Sequence, residues 1–205
     1  MSIILQKYGI SLRRIEQSDI ELIRQWRNNP DINRYMAYRA HITPEMQQQW
    51  FERVNSPLHY YLLIITDGKA VGVINAKNIN MDEGFGEGGI FIWEQQYWRT
   101  HLPTLATLTL LEFTFDVLSD FDVSVVRVMR DNDVAARYNK ALGYVLIPEQ
   151  YGDDLLYVLT RRKYKTKTTR LIRAAETLMN DHLPVRYIIQ HSPLNLPAIN
   201  QLAQK

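Results

Sequence analysis

Between Glu87 and Tyr144 the chain switches repeatedly between strand-type and helix-type patterning, and that alternation restricts the architectures open to it. Ile90 to Trp93 is a short apolar run of strand type. Pro103 stands where a helix tolerates proline, and the segment it opens carries Leu105, Leu108, Leu111, Phe113 and Phe115. After a break at Ser119-Asp120, Val123 to Met129 is rich in β-branched residues. Asp131-Asn132-Asp133 then offers N-caps for a helix from about Val134, which Gly143 is placed to end. The pattern predicts strand, loop, long helix, strand, short helix and turn.

The flanking sequence extends this order. Ile10 to Ile15 alternates apolar and polar residues and reads as a first strand. Ser18 or Asp19 can cap a helix carrying Ile20, Leu22, Ile23 and Trp26, which should stop near Asn28-Asn29-Pro30 because the residue before proline avoids helical geometry. Thr43 as cap and Pro44 at the first position start a second helix through Trp50 and Phe51. Tyr60 to Ile65 and Ala70 to Ala76, joined through Thr66 to Lys69, read as a β-hairpin. Leu155 to Leu159 reads as the last strand of the domain. The succession suits a mixed α/β (α+β) fold, a sheet flanked by helices.

Composition excludes several classes of function. The 205 residues include no cysteine, so disulfides, thiolate metal sites and a cysteine nucleophile are ruled out. The His and carboxylate residues show no metal-ligand spacing, and no metal is expected. No apolar run reaches the ~18 residues of a membrane span, and no signal peptide is apparent, which suits a cytoplasmic protein without membrane partners. A formal net charge of +2 is too small to argue for nucleic acid, and no nucleic-acid partner is expected. The chain divides into a main domain over 1–162 and a C-terminal extension over 163–205. The extension continues a basic run of seven Lys and Arg residues between Arg161 and Arg173 and is helical in spacing from Thr169 to Met179.

The central segment DNDVAARYNKALGY is similar to the DxxNxxAxxxYxKLGF segment of the GNAT acetyltransferases, matching at Asp131, Ala135, Tyr138, Lys140, Leu142 and Gly143. YWRTHLPTLA resembles that family's glycine-rich pyrophosphate loop with every glycine replaced. WRNNPDINRYM, HITPEMQQQWF and YYLLIITDGKAVGVINAKNI are similar to a subgroup that acetylates nucleotide-linked amino sugars, and ribosomal-protein N-terminal acetyltransferases share much of this layout. The resemblance spans roughly residues 10–160. It implies the GNAT fold, with a mixed, mostly antiparallel sheet, acetyl-CoA as cosubstrate, a small-molecule amine as acceptor, and an assembly for which a homodimer remains open.

Acetyl transfer to an amine requires removal of a proton from the amine, polarisation of the thioester carbonyl, and a proton for the departing thiolate. By resemblance, Tyr138 is the candidate general acid; a packing role on an amphipathic helix is the plain alternative. Glu87, just before the central strand, is the first candidate base, because a carboxylate in a partly closed cleft is readily driven to accept a proton. Glu94 and His41 are alternatives, as is a water chain. Ile92, Trp93, Arg99, Thr100, His101, Thr104, Asn132 and Ala135 are the expected acetyl-CoA contacts, and Arg27, Tyr35, Tyr38 and His41 the expected acceptor contacts. Glycines in a phosphate loop let backbone N–H groups approach the anion at a helix N-terminus. Pro103 has no N–H, and His101 must avoid or be strained by a left-handed conformation. Arg99 can compensate with a charge-assisted bond from its side chain. Two readings stay open: a side-chain-based CoA site, or a scaffold that has lost the cosubstrate.

Overall fold

The computed structural model describes residues 2–118, 120–151 and 154–190. Strands β1 (Ser2–Lys7) and β2 (Ile10–Arg14) form a hairpin, followed by helices α1 (Ile20–Asn28), α2 (Pro30–Asn33) and α3 (Pro44–Val54). Next come β3 (Tyr60–Thr66), β4 (Lys69–Asn80), β5 (Phe85–Ile92) and the helix α4 (Leu102–Glu112), which runs on into a π-helical turn over Phe113–Val117. Strand β6 (Val123–Met129), helix α5 (Asp133–Leu142) and strands β7 (Val145–Tyr151) and β8 (Asp154–Thr160) complete the expected core. The chain continues through a short helix α6 (Arg161–Lys163), a second π-helical turn (Tyr164–Thr168), α7 (Thr169–Met179) and β9 (Arg186–Gln190).

Local signals in the sequence act as expected. Thr43 Oγ1 accepts a bond from Met46 N at 3.2 Å, and Asn132 Oδ1 accepts one from Ala135 N at 3.0 Å, so both caps satisfy an otherwise orphaned N–H. Gly143 ends α5 with φ of +105°, a conformation that costs any other residue steric energy.

The strands form one sheet in the order β7-β8-β6-β5-β4-β3-β2-β1-β9, and only β5 and β6 run parallel. Side chains alternate across it. Leu63 and Val73 pack under α1, α2 and α3 with Ile20, Ile23, Ile32 and Phe51. Leu62, Ile64 and Ile74 face α4 on the other side. Helix α4 is buried all round, from Leu102 to Glu112, so it needs cover on its outer flank as well as from the sheet. Tyr164, Ile172, Ala175 and Val185, from beyond the boundary expected at 162, belong to the same core as α4.

Two strand expectations are corrected. The first strand is β1, not the segment at Ile10, and β1 pairs with both β2 and β9. The strand at Leu155 is not the last, because β9 joins the sheet at its far edge. The β1–β9 pairing was not visible locally, because the two strands come from opposite ends of the chain.

Candidate active site

Strands β5 and β6 pair from Phe85↔Val123 to Gly88↔Val126, and there the pairing stops. Beyond that point β6 stays with β8 through Met129↔Asp154, while β5 stays with β4 through Gly72↔Ile92. The strands therefore part at Gly88, and the edge of β5 from Gly89 to Ile92 has no strand partner on that side. A cavity of about 470 Å³ occupies the gap. It is lined from the α4 side by Thr107 and Tyr138 and from the α1–α3 side by Tyr35, Asn75, Lys77 and Glu87. The two candidate catalytic side chains thus open onto one cavity from opposite faces of the sheet.

Glu87 is buried, at 7 % exposure, and its carboxylate is held by two ion pairs and one hydrogen bond. Lys77 Nζ lies 3.0 Å from Oε1, Asn78 Nδ2 donates to Oε2 at 2.9 Å, and Arg127 Nε is 3.5 Å from Oε2. Asn78 reaches it because β4 slips register between Lys77 and Asn80, with Asn78 at φ of +51°, a left-handed conformation that asparagine tolerates. The sequence reading missed Asn78. Its signal was an asparagine-rich run, Asn75, Asn78 and Asn80, inside a strand that disfavours asparagine.

Tyr138 projects from α5 toward α4. Its hydroxyl donates to the Pro103 carbonyl at 2.9 Å and lies 2.7 Å from Thr107 Oγ1. Burial is the main cause of a phenol held well above its ordinary range, so the proton stays on the oxygen at neutral pH. Nearby, the Tyr144 hydroxyl lies 2.8 Å from Ser124 Oγ, and burial pushes its pKa up to about 12.

The segment expected to hold phosphate adopts right-handed geometry. His101 is at φ −76°, ψ −16°, so it avoids the left-handed region. The Leu102 N–H is accepted by Thr100 Oγ1 at 3.2 Å and Pro103 has none, which removes two N-terminal donors of α4 and leaves that of Thr104 among the first turn. Arg99 is exposed beside this helix start. Ile92 closes β5, whereas the Trp93 side chain points into the α1–α3 core, stacked on Trp26 at 6.0 Å with Nε1 donating to the Ala70 carbonyl at 3.2 Å. Asn132 and Ala135 line the cavity.

Of the expected acceptor contacts, Tyr35 lines the cavity, with the Arg34 guanidinium 4.8 Å from its ring centre. Tyr38 and His41 are exposed on the loop before α3 and stand outside the cavity lining. Arg27 also lies outside the lining; it is half-buried, its Nε has no partner, and burial lowers its pKa. Glu94 pairs with Lys69 at 2.8 Å, away from the gap. Among the described residues, no group of three metal-binding side chains stands together and no helix is long and apolar enough to cross a membrane.

A family model described as an acetyltransferase (GNAT) domain matches residues 10–145. Among solved structures, FdhC, a nucleotide-linked sugar GNAT, superposes with a TM-score of 0.68 at 23% identity, covering 83% of this chain and 97% of its own. The spermidine N-acetyltransferase of Vibrio cholerae, solved with CoA and spermine, gives 0.65 at 17% identity, covering 78% of this chain and 100% of its own. No curated protein matches.

Proposed function

The chain belongs to the GNAT acetyltransferase family, and on that premise we propose that it transfers the acetyl group of acetyl-CoA directly to the primary amine of a small acceptor, a nucleotide-linked amino sugar. The observation that carries this reading is the parting of β5 and β6 at Gly88, with Tyr138 and Glu87 opening onto one cavity through the gap. Direct transfer needs both reactants in one space, donor on one side and amine on the other.

The free edge of β5 from Gly89 to Ile92 offers backbone donors and acceptors to an extended chain such as a pantetheine arm. In this reading Arg99 and the Thr104 N–H meet phosphate at the start of α4, which is supported by the exposure of Arg99 there and by the turn through Thr100 and His101. Acetyl-CoA supplies an activated acyl group whose thiol leaves at the end of the transfer. Tyr138 keeps its proton at neutral pH and lines the cavity, so it is the group to protonate a leaving thiolate after turning from Pro103. Glu87, with one oxygen shared by Lys77 and the other by Asn78 and Arg127, orients the acceptor side of the cavity and receives the amine proton directly or through water. Such a reaction belongs in the cytoplasm, where acetyl-CoA is made available.

The test is a steady-state assay of acetyl transfer with a nucleotide-linked amino sugar, spermidine and a peptide with a free N-terminus. Turnover led by the amino sugar is expected. Preference for the peptide would move the chain to the ribosomal-protein type of acetyltransferase and overturn the acceptor class.

A further inference from the structure

The α1–α3 face of the sheet carries polar groups whose demand the fold leaves unmet, one of them in the cavity. Among the described residues, the buried side-chain nitrogens without a partner are Arg27 Nε, Gln47 Nε2 and Asn75 Nδ2, on α1, α3 and β4. All are donors, and a buried donor without an acceptor costs free energy that a native fold normally avoids. Asn75 is the one of them that lines the cavity. Its carboxamide lies directly over Gly89, where a Cβ would stand 3.0 Å from Oδ1. Glycine at 89 is thus what lets Asn75 reach the point where β5 leaves β6.

The charges beside it are predominantly positive. Lys77, two residues along β4, and Arg127 on β6 both face Glu87, two cations against one carboxylate. Burial raises the pKa of Tyr61, the register partner of Asn75, and Lys77 and Arg27 oppose that rise while Glu87 adds to it. At the rim, Asp154 lines the cavity opposite Met129, and Arg39 stands 4.0 Å from Asp131. Over the whole cavity the lining charges balance, Lys77 and Arg127 against Glu87 and Asp154, but beside Asn75 the two cations outnumber the carboxylate, and an unmet donor there suits an oxygen-rich anion.

We infer that Asn75 determines acceptor specificity, its Nδ2 donating to an oxygen that the acceptor carries near its amine, while Lys77 and Arg127 favour acceptors in which that oxygen-bearing part is anionic, as in a phosphorylated amino sugar. The inference rests on the cavity being the acceptor site. It names a residue and a charge requirement for that site.

The experiment is calorimetric binding of four probes to the wild type, Asn75→Leu and Asn75→Asp, each with CoA present: glucosamine 1-phosphate, a nucleoside-diphosphate-linked amino sugar, glucosamine and spermidine. The wild type is expected to bind both phosphorylated probes at least about tenfold tighter than glucosamine or spermidine. Comparing these two probes shows whether the phosphate suffices or the nucleotide adds to it. Asn75→Leu is expected to weaken them by about 10- to 100-fold with CoA affinity unchanged. Asn75→Asp keeps the side-chain shape, so its larger loss on the same probes separates a missing donor from misfolding. Equal or tighter binding of glucosamine or spermidine by the wild type, no binding of any probe, or an unchanged affinity in Asn75→Leu overturns the inference. Failure of the acetyltransferase reading is distinct: the wild type would bind the phosphorylated probes and not acetyl-CoA.

Discussion

The sheet carries a cluster of buried polar side chains on each face, and the two are finished differently. On the α4 face, Lys7 is 1 % exposed and bonds Glu112 Oε2 at 2.5 Å and Glu176 Oε1 at 3.4 Å. The Tyr8 hydroxyl donates to the other Glu112 oxygen at 2.7 Å, and the Tyr8 N–H to Asp181 Oδ2 at 2.8 Å. Close by, Tyr164 donates to Asp116, which Lys165 also meets at 2.5 Å. These groups join β1, α4 and the C-terminal extension, and their partners are all protein. On the α1–α3 face, Asn75, Arg27 and Gln47 each keep a buried nitrogen without one among the described residues. Polar groups that complete each other hold a structure together, whereas Asn75, the one of these three donors that lines the cavity, is left for a ligand to complete.

Breaking the closed cluster should have the largest effect on folding. Lys7→Met leaves Glu112 buried beside Tyr8 alone, and removal of one member of a buried pair costs about 3 to 5 kcal/mol. Urea denaturation measures it. Removing the orphaned donor of the open cluster by Asn75→Leu should instead leave stability unchanged or raise it by up to about 1 kcal/mol. A comparable loss in both variants would erase the distinction between the clusters.

The contrast also shows what was legible in the sequence. Caps at Thr43 and Asn132, the turn glycine at 143 and strand β6 lie in local patterns, and local physics sets them. The buried role of Lys7 is not legible in the sequence, because its partners are 105 and 169 positions away. The packing of the extension is likewise invisible until α4, with Thr109 and Glu112 buried along with its leucines, proves to need cover on its outer flank. In the proposed site, Tyr138 and Glu87 stand out as candidates from their neighbours in the chain. Asn75 and Asn78 do not, because their meaning depends on Gly89 and Glu87 on the next strand.

Within the site, effects on chemistry and on binding should separate. Tyr138→Phe removes the proton donor while leaving the ring in place, so kcat should fall about 100-fold with little change in acetyl-CoA affinity. An unchanged kcat reduces Tyr138 to a brace between α5 and α4. Arg99→Ala should weaken CoA binding by about 1.5 to 3 kcal/mol, and by more at low salt than at high salt, because screening already reduces an exposed phosphate contact. No change would leave the altered loop without its compensating charge.

The smallest effect concerns His59, whose Nδ1 accepts the Asn78 N–H at 3.2 Å. Burial, then Lys77, Arg53 and Arg14, lower its pKa below the ordinary 6.5. A base with a lowered folded pKa binds fewer protons folded than unfolded, so its contribution is complete above 6.5 and is lost as the pH falls below that value. Melting temperature should therefore decline more in wild type than in His59→Gln as the pH is lowered through this range. Parallel declines would show that the register slip beside Glu87 does not depend on His59.

The most direct measurement is calorimetric titration of the wild type with acetyl-CoA, because the open cluster is an acceptor site only if a donor occupies the other half of the gap. Saturable binding with a Kd tighter than ~100 μM, worth about 5.5 kcal/mol, is the expected result. No saturation up to millimolar acetyl-CoA would contradict it, and the cavity at Gly88 would then be the binding site of a scaffold without its cosubstrate.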